Sequence, residues 1–513
     1  MKINLTRIYG ISILLIVMVT TFTLYYYATI NGLGISPDSI TYIDTASSLL
    51  EGKGFFVGKS PMTHYPPVYP IILAISGIFN PDIVRSAHVT HALIYFMNAS
   101  LFGIIIFLST SRNLLAMILG LLMFFSSKSI LYIHSYAWSE SPFIMFILIS
   151  FLLLFLFLTR QRIIYLILAS TSIGLAIATR YVGIALIPTI IILILLINKP
   201  VITRIKWAFT SLIIILVPIL SWIIRNFIVA QTATNRSIIF HPFSIEKIKS
   251  LLLTLHGFFL PTSGLGIINV LELLLLSVIF SYMIFVIFRK RKLVDSYRVG
   301  IMIFSVLGII LAVTYIFVVV FSRSFVDAAI PFDERMLSPV YIFVTATMFA
   351  IVLLFTSAVH KKWVWLVFVG CVLFSIRSNM PELINRTINY HKDGIGYNST
   401  SWTNSSTLRI IKSISINRLV YSNGSDVVKF KTGINAITIP SKESPNSTVE
   451  NLDYLQNLVI MCEKVKSGEA ILVYLDGITW RWYLPTEEEI VSECSLPVLR
   501  NNNDGTIYGN KNQ

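Results

Sequence analysis

ISPDSITYIDTASSLLEGKGFFVGKSPMTHYPPVYP, residues 35–70, is the longest polar interruption in an otherwise apolar first hundred residues. Asp38 follows Ser36 and Pro37 and precedes Ile40, Ile43, Ala46, Leu49 and Leu50. That helical spacing predicts an amphipathic helix whose N-terminus lies beside the aspartate. Gly52 and Gly54 supply its stop. His64, Tyr65, Pro66 and Pro67 then open a second apolar run, with the prolines where a first helical turn tolerates them. A carboxylate and a histidine thus stand at two helix starts flanking one loop beside a membrane.

The membrane follows from composition. The chain has 513 residues, of which 55% are hydrophobic, and a mean hydropathy of +0.77. Many apolar runs are about 18 to 22 residues long, enough to cross a bilayer. The fold class is therefore a polytopic α-helical membrane protein, and a soluble fold is excluded. A net charge of +15, from 40 Lys and Arg against 25 Asp and Glu, would suit nucleic acid. Many of the basic residues, however, lie in short loops between apolar spans, where they favour the cytoplasmic side. The charge is read as topology, with no nucleic-acid partner.

Hydropathy and basic loops together predict eleven spans, near 8–30, 84–109, 114–133, 142–159, 163–179, 182–198, 207–224, 267–288, 299–321, 337–358 and 363–379. Lys2 and Arg7 precede the first, which is too long for a typical signal-peptide core and has no convincing small-x-small cleavage site; it is expected to stay as a signal anchor. Residues 163–198 form an apolar run broken only by Arg180, and two short spans meeting there are preferred to one. The inside loops carry Lys2 and Arg7, Arg112, Arg160 with Arg162, residues 199–206, 289–292 and 360–362. This puts the N-terminus in the cytoplasm of a multi-pass cell-membrane protein. The opening stretch, residues 128–140, the Arg180–Tyr181 hairpin, residues 225–262, residues 322–335 and everything after Arg377 face outward. Residues 244–260 are amphipathic enough to lie along the interface.

After Arg377 the composition turns to Asn, Ser, Thr and charge. The expected division is a transmembrane catalytic domain, 1–379, with an outer loop at 31–83, and an extracytoplasmic soluble α/β domain, 380–513. Residues 418–422 and 470–475 read as strands and 449–466 as a helix between them. Cys462 and Cys494 lie in this tail and Cys371 in a span, so one disulfide is conceivable. Sequons at Asn385, Asn398, Asn404, Asn423 and Asn446 suit an exterior domain but are equally expected from its composition.

The polar residues that call for an explanation gather on the outer side, near the ends of spans. Asp38, ionised at neutral pH and fixed by its helix, suits a general base that takes a proton from an acceptor hydroxyl; the plain alternative is a helix N-cap. Asp44 reads as a solvated helix-face residue. Glu140, where an outer loop enters a span, suits binding of an acceptor or a metal, although Ser141 and Pro142 explain that helix start without it. His64 and His134 suit contact with phosphate or sugar or, more plainly, an amphipathic place at the interface. Arg180, Arg225 and Arg335 lie at outer helix ends, where snorkelling explains arginine and where guanidinium forks also match phosphate oxygens. No GxxxxGKS, GxGxxG, HExxH, GxSxG or CxxC motif is present. No cofactor is called for, and a divalent cation is left open.

In chain order, PDSITYIDTASSLLEGKGF, HYPPVYP, SESPF, ATRYVGIALIP, WIIRN and DERMLSP, followed by YSNGSDVVKFKTG in the tail, resemble the GT-C superfamily of integral membrane glycosyltransferases. The resemblance is to the relatives of protein O-mannosyltransferases and lipid A aminoarabinose transferases, and it covers most of residues 1–345. It implies transfer of a sugar from a polyprenyl-phosphate donor to a lipid, glycan or protein acceptor on the outer face, with inversion at the anomeric carbon. Asp38 matches the family's loop aspartate, which would be the catalytic base. Arg225 and Arg335, with Arg180, would neutralise the departing phosphate, and His64, Tyr65 and Glu140 would line the substrate site. The chain departs from the pattern at Ser39, where the family often has Glu, and at Tyr65, where it often has Lys before the paired prolines.

The rival reading is a multi-pass transporter or lipid-linked-sugar flippase without transferase activity. A transporter calls for repeat halves, broken helices and ionisable residues near the midplane, whereas the charges here sit mainly at the outer rim. A non-catalytic scaffold leaves the loop residues without a purpose. Convergence of Asp38, Glu140, Arg225 and Arg335 on one outer cavity would favour the enzyme, and scattered positions would favour the transporter or the scaffold.

Overall fold

The computed structural model describes residues 5–236, 238–261, 266–289, 296–414 and 418–510. Lys2, and Lys290, Arg291 and Lys292 of another expected inside loop, lie outside the described residues. All eleven apolar stretches are helical. In chain order the helices are α1 (Leu5–Ala28), α2 (Pro37–Leu50), α3 (Val68–Gly77), α4 (Ile83–Ser109), α5 (Leu114–Ser126), α6 (Lys128–His134), α7 (Glu140–Arg160), α8 (Ile163–Ile177), α9 (Leu186–Leu196), α10 (Val201–Ala230), α11 (Ile245–Gly257), α12 (Gly266–Arg289), α13 (Ser296–Phe325), α14 (Glu334–Val359) and α15 (Lys362–Asp393). Among the described residues, seven of these (α4, α7, α10, α12, α13, α14 and α15) are long and apolar enough to cross a membrane by length and composition. The stretch expected at 114–133 is the pair α5 and α6, bent by 64° at Ser127. The other three expected spans are shorter apolar helices: the described part of α1, α8, and α9 with the 3₁₀ turn Tyr181–Ala185 before it.

Small residues let these helices pack closely, as expected where lipid and protein are equally apolar. A Cβ on Gly308 of α13 would fall 2.1 Å from the Thr347 hydroxyl of α14, and one on Gly120 of α5 would fall 2.2 Å from Ile106 of α4. Buried aromatic residues such as Phe102, Phe124, Phe304 and Phe349 fill the spaces between helices.

The composition boundary near Arg377 falls inside α15, which continues as one helix through a polar sequence to Asp393. Beyond it the chain forms α16 (Thr400–Thr403), α17 (Ser406–Ile414), α18 (Ser425–Thr432), α19 (Tyr454–Ser467) and α20 (Glu487–Cys494) around a sheet. The strands are β3 (Leu419–Ser422), β4 (Ala436–Thr438), β5 (Ala470–Leu475), β6 (Val498–Asn502) and β7 (Gly505–Tyr508), numbered after the hairpin β1 (Phe56–Val57) and β2 (Ser60–Pro61) of the first loop. The sheet order is β4-β3-β5-β7-β6, with the first three parallel and the last two antiparallel to their neighbours. Cys462 and Cys494 form a disulfide joining α19 to α20.

The loops expected on the outer side meet at one end of the helix bundle. Gly34 N–H donates to Ser135 O at 2.8 Å, and Ala137 N–H donates to Gly34 O at 2.9 Å. Val68 N–H donates to Ala178 O at 3.0 Å, and Ala328 N–H to Asn446 O at 2.9 Å. The C-terminal domain also rests on α2: Tyr397 N–H donates to Ile35 O at 2.8 Å, and Lys429 pairs with Asp44. Asp44, expected as a solvated residue, is thus a domain contact.

Candidate active site

Helix α2 begins as the sequence predicts, but its cap is Ser36. The Ser36 hydroxyl accepts from the Ser39 N–H, and the Ser39 hydroxyl accepts from the Ser36 N–H, with Pro37 in the first turn. Asp38 is therefore released from capping. The Trp138 indole donates to Ser36 Oγ at 2.7 Å, which ties this helix start to the loop before α7. At the other end, Glu51 is the C-cap and Gly52 follows with φ of 74°, a left-handed conformation that glycine adopts without strain.

The freed carboxylate is held from two sides. Tyr65 OH donates to Asp38 Oδ1 at 2.8 Å, and Arg335 Nη2 donates to Asp38 Oδ2 at 2.7 Å. The same guanidinium donates from Nε to Glu140 Oε1 at 2.5 Å. That oxygen also receives Arg180 Nη1. Arg180 further donates to Ser139 Oγ and to Met336 Sδ, each at 3.2 Å. The face of the Arg335 guanidinium lies 3.8 Å from the Trp138 ring centroid, a cation–π stack. Two carboxylates and two guanidiniums thus alternate around one centre, drawn from α2, α7, α14 and the break between α8 and the 3₁₀ turn.

The two carboxylates differ in access. Glu140 is 2% exposed, whereas the Asp38 side chain is 29% exposed. Burial pushes the Asp38 carboxyl up, but the charge of Arg335 and the hydrogen bonds from Arg335 and Tyr65 outweigh it and hold the group below its ordinary range. Asp38 is therefore an ionised, acceptor-only group at neutral pH.

His64 stands beside this centre, its ring edge-on to Tyr65 with centroids 4.7 Å apart. Its Nε2 accepts from Arg236 Nη2 at 3.0 Å, and Arg236 Nη1 also pairs with Asp327 Oδ2 at 3.1 Å. Burial first, then the Arg236 charge, pushes the imidazole down to about 4, so it is neutral at physiological pH. Sequence reasoning did not find Arg236 and Asp327, which lie in irregular segments without periodicity. It also passed over Tyr42, one helical turn after Asp38, whose OH is 3.3 Å from Ser139 Oγ.

Arg225 does not join the centre. Its Nη1 donates to Met62 O at 2.7 Å and its Nη2 to Phe55 O at 2.9 Å, and the group lies 4.8 Å from the Trp222 ring centroid. It ties the end of α10 to the first outer loop. His134 is fully buried between α4 and α6, with Nε2 2.9 Å from Asn98 Nδ2 and Nδ1 2.7 Å from Ile130 O. Among the described residues, no group of three or more His, Cys, Asp or Glu is placed to hold a metal; Glu140 faces guanidiniums. A cavity of about 480 Å³ is lined by Asp333 and Glu334 together with Lys128, Ser129, Thr254 and Phe258. Asp38, Glu140 and Arg335 do not line it.

Neither a family model nor a curated protein matches the chain. Among solved structures, ArnT from Cupriavidus metallidurans bound to undecaprenyl phosphate superposes with a TM-score of 0.59 over 97% of this chain and 98% of that one, at 11% identity. The chain shares the fold of that structure. The apo state of the same enzyme matches with a TM-score of 0.55 over 96% of this chain and 97% of that one, at 12% identity. The likeness spans both the helix bundle and the C-terminal domain that packs on α2.

Proposed function

We propose that the protein is a glycosyltransferase that moves a hexosyl or pentosyl group from a polyprenyl-phosphate donor to a hydroxyl acceptor at the outer membrane face. The observation that carries this reading is the Asp38–Arg335–Glu140–Arg180 centre at the mouth of a GT-C bundle. The basic loops support an orientation with the N-terminus in the cytoplasm and the 380–513 domain outside. A polyprenyl phosphate keeps its head at the surface and its tail in lipid, which suits a site at the ends of membrane helices. ArnT, which shares the fold, binds undecaprenyl phosphate.

In the proposed reaction, Asp38 takes the proton from the acceptor hydroxyl as its oxygen attacks the anomeric carbon. A new carbon–oxygen bond forms on one face while the bond from carbon to the phosphate oxygen breaks on the other, so configuration inverts. The electron pair leaves with the phosphate, which gains one negative charge. Arg335, and Arg180 behind it, stabilise that charge as it develops, in a site where water competes little. Arg225 and His64 act one step back: the first holds the loop that carries Tyr65, and the second packs on Tyr65 and bonds Arg236. The acceptor is a lipid, a glycan or a protein.

The test uses purified protein and a labelled polyprenyl-phosphate sugar. Asp38→Asn keeps the Tyr65 hydrogen bond and removes the base, and transfer should fall by about 10² to 10⁴-fold with folding intact. Full transfer by that variant overturns the assignment of Asp38. Comparing glycolipids and surface glycans of cells with and without the protein identifies the acceptor.

A further inference from the structure

The base proposed above is not free. Asp38 Oδ2 accepts from Arg335 Nη2 at 2.7 Å, and that ion pair lowers the basicity a general base needs. The arginine proposed to receive the phosphate is equally engaged, by Asp38 at one edge and by Glu140 at the other. Each partner weakens the other in its proposed role.

The two contacts of Arg335 differ in permanence. Glu140 is buried, and its Oε1 is fixed by Arg180 as well as by Arg335 Nε. Asp38 is the more exposed partner, and its other oxygen is held separately by Tyr65. Loss of the Arg335 contact therefore leaves Asp38 in place, on a helix capped by Ser36. The Trp138 ring centroid lies 3.8 Å from the guanidinium carbon, and the ring, with Glu140, keeps Arg335 at the site when the Asp38 contact is released.

Resting on the transferase reading, we propose that Arg335 exchanges partners during the reaction: it closes on Asp38 until a donor phosphate takes the Nη edge, which frees Asp38 Oδ2 as the base. The charges balance through the exchange. Before the donor enters, two carboxylates face two guanidiniums. A phosphodiester brings one negative charge. On transfer Asp38 gains the acceptor's proton and becomes neutral while the phosphate becomes a dianion, so the total is unchanged. The consequence is an order of events. The base is unmasked only when a leaving group is present, and the donor binds before the acceptor is activated.

The experiment measures undecaprenyl phosphate affinity of the full chain in lipid nanodiscs as a double-mutant cycle. Asp38→Asn should lose transfer yet bind undecaprenyl phosphate about tenfold or more tightly than the wild type, the scale of one released charge-assisted hydrogen bond. In an Arg335→Gln background the same Asp38→Asn change should alter affinity by less than about twofold, because the gain passes through Arg335. An equal gain in both backgrounds means simple charge repulsion and overturns the exchange, as does no gain in Asp38→Asn. If Arg335→Gln does not fold, Arg335→Lys replaces it; one ammonium does not bridge both carboxylates, and an undiminished gain again overturns the proposal. Transfer retained by Asp38→Asn instead removes Asp38 as the base on which the exchange rests, and no binding of undecaprenyl phosphate by any variant removes the transferase reading itself.

Discussion

Replacing Glu140 with Gln separates the anchor of the charged centre from its base. Glu140 is 2% exposed, and one of its oxygens receives both Arg335 Nε, at 2.5 Å, and Arg180 Nη1. The substitution preserves shape but removes the negative charge between the two guanidiniums, leaving Arg180 with neutral partners such as the Ser139 hydroxyl and the Met336 sulfur. Removing one member of a buried ion pair costs about 3 to 5 kcal/mol. The amide oxygen still accepts a hydrogen bond and Arg335 keeps Asp38, so the lower end, about 3 kcal/mol, is expected. Asp38→Asn should cost only about 1 kcal/mol, because the Asp38 side chain is 29% exposed and Arg335 keeps Glu140. The assay is the apparent unfolding midpoint by tryptophan fluorescence in one detergent at one scan rate, compared among wild type, Glu140→Gln and Asp38→Asn. Glu140→Gln should unfold at the lowest temperature of the three. A midpoint equal to or above that of Asp38→Asn refutes the two-arginine anchor.

Three other outcomes follow from the same geometry. His64 is neutral in the folded protein down to about pH 4 but takes a proton near 6.5 when unfolded. Its contribution is therefore intact above pH 6.5 and is lost as pH falls from 6.5 toward 4, on the order of 1.4 kcal/mol per unit. A His64→Asn variant should lack that slope in midpoint-versus-pH curves, and an identical slope counts against a neutral His64. Arg225→Ala should free the 55–62 loop from α10, measured as faster proteolysis within that loop and a raised KM for the donor with a smaller change in kcat. Unchanged proteolysis denies it the tethering role. Cys462→Ser opens the α19–α20 link and should destabilise the C-terminal domain by about 2 to 4 kcal/mol. Limited proteolysis after residue 393 reads that loss, while equal resistance argues against a stabilising disulfide.

Helix positions were legible because a bilayer demands long apolar runs. The expected span 84–109 is Ile83–Ser109, and 267–288 is Gly266–Arg289. The break at Arg180 was legible as the only charge in its run, and it is where α8 gives way to a 3₁₀ turn. The extension of α15 to Asp393 was not, since hydropathy stops reporting where a helix leaves lipid although its backbone bonds continue. The strands β4, β6 and β7 are three to five residues long and take their place from neighbours in the sheet. At the site, Arg225 near the C-terminus of α10 and Arg335 in the first turn of α14 are the same residue type, both expected at outer ends of spans. What divides them is the partner: backbone carbonyls of the first loop for one, and for the other a carboxylate 297 residues away. Such a distance leaves no mark in local pattern.

The placement of Asp38 depends on more than its own helix. Ser36 caps α2 and is itself bonded by Trp138, two residues before Glu140, so the helix start and the anchor carboxylate share one loop. Gly34 and Ile35, just upstream, pair with Tyr136 on one side and with Gly396 on the other. A Cβ at Gly34 would lie 2.8 Å from the Tyr136 ring, and one at Gly396 would lie 2.3 Å from Ile35 O, which is why small residues stand at both crossings. Lys429 then fixes the far face of α2 through Asp44. The C-terminal domain is thereby part of the frame that aims the carboxylate. Its sheet carries none of the charged centre, yet without its contacts α2 would keep its cap and lose two of the fixed points that set where Asp38 meets Arg335.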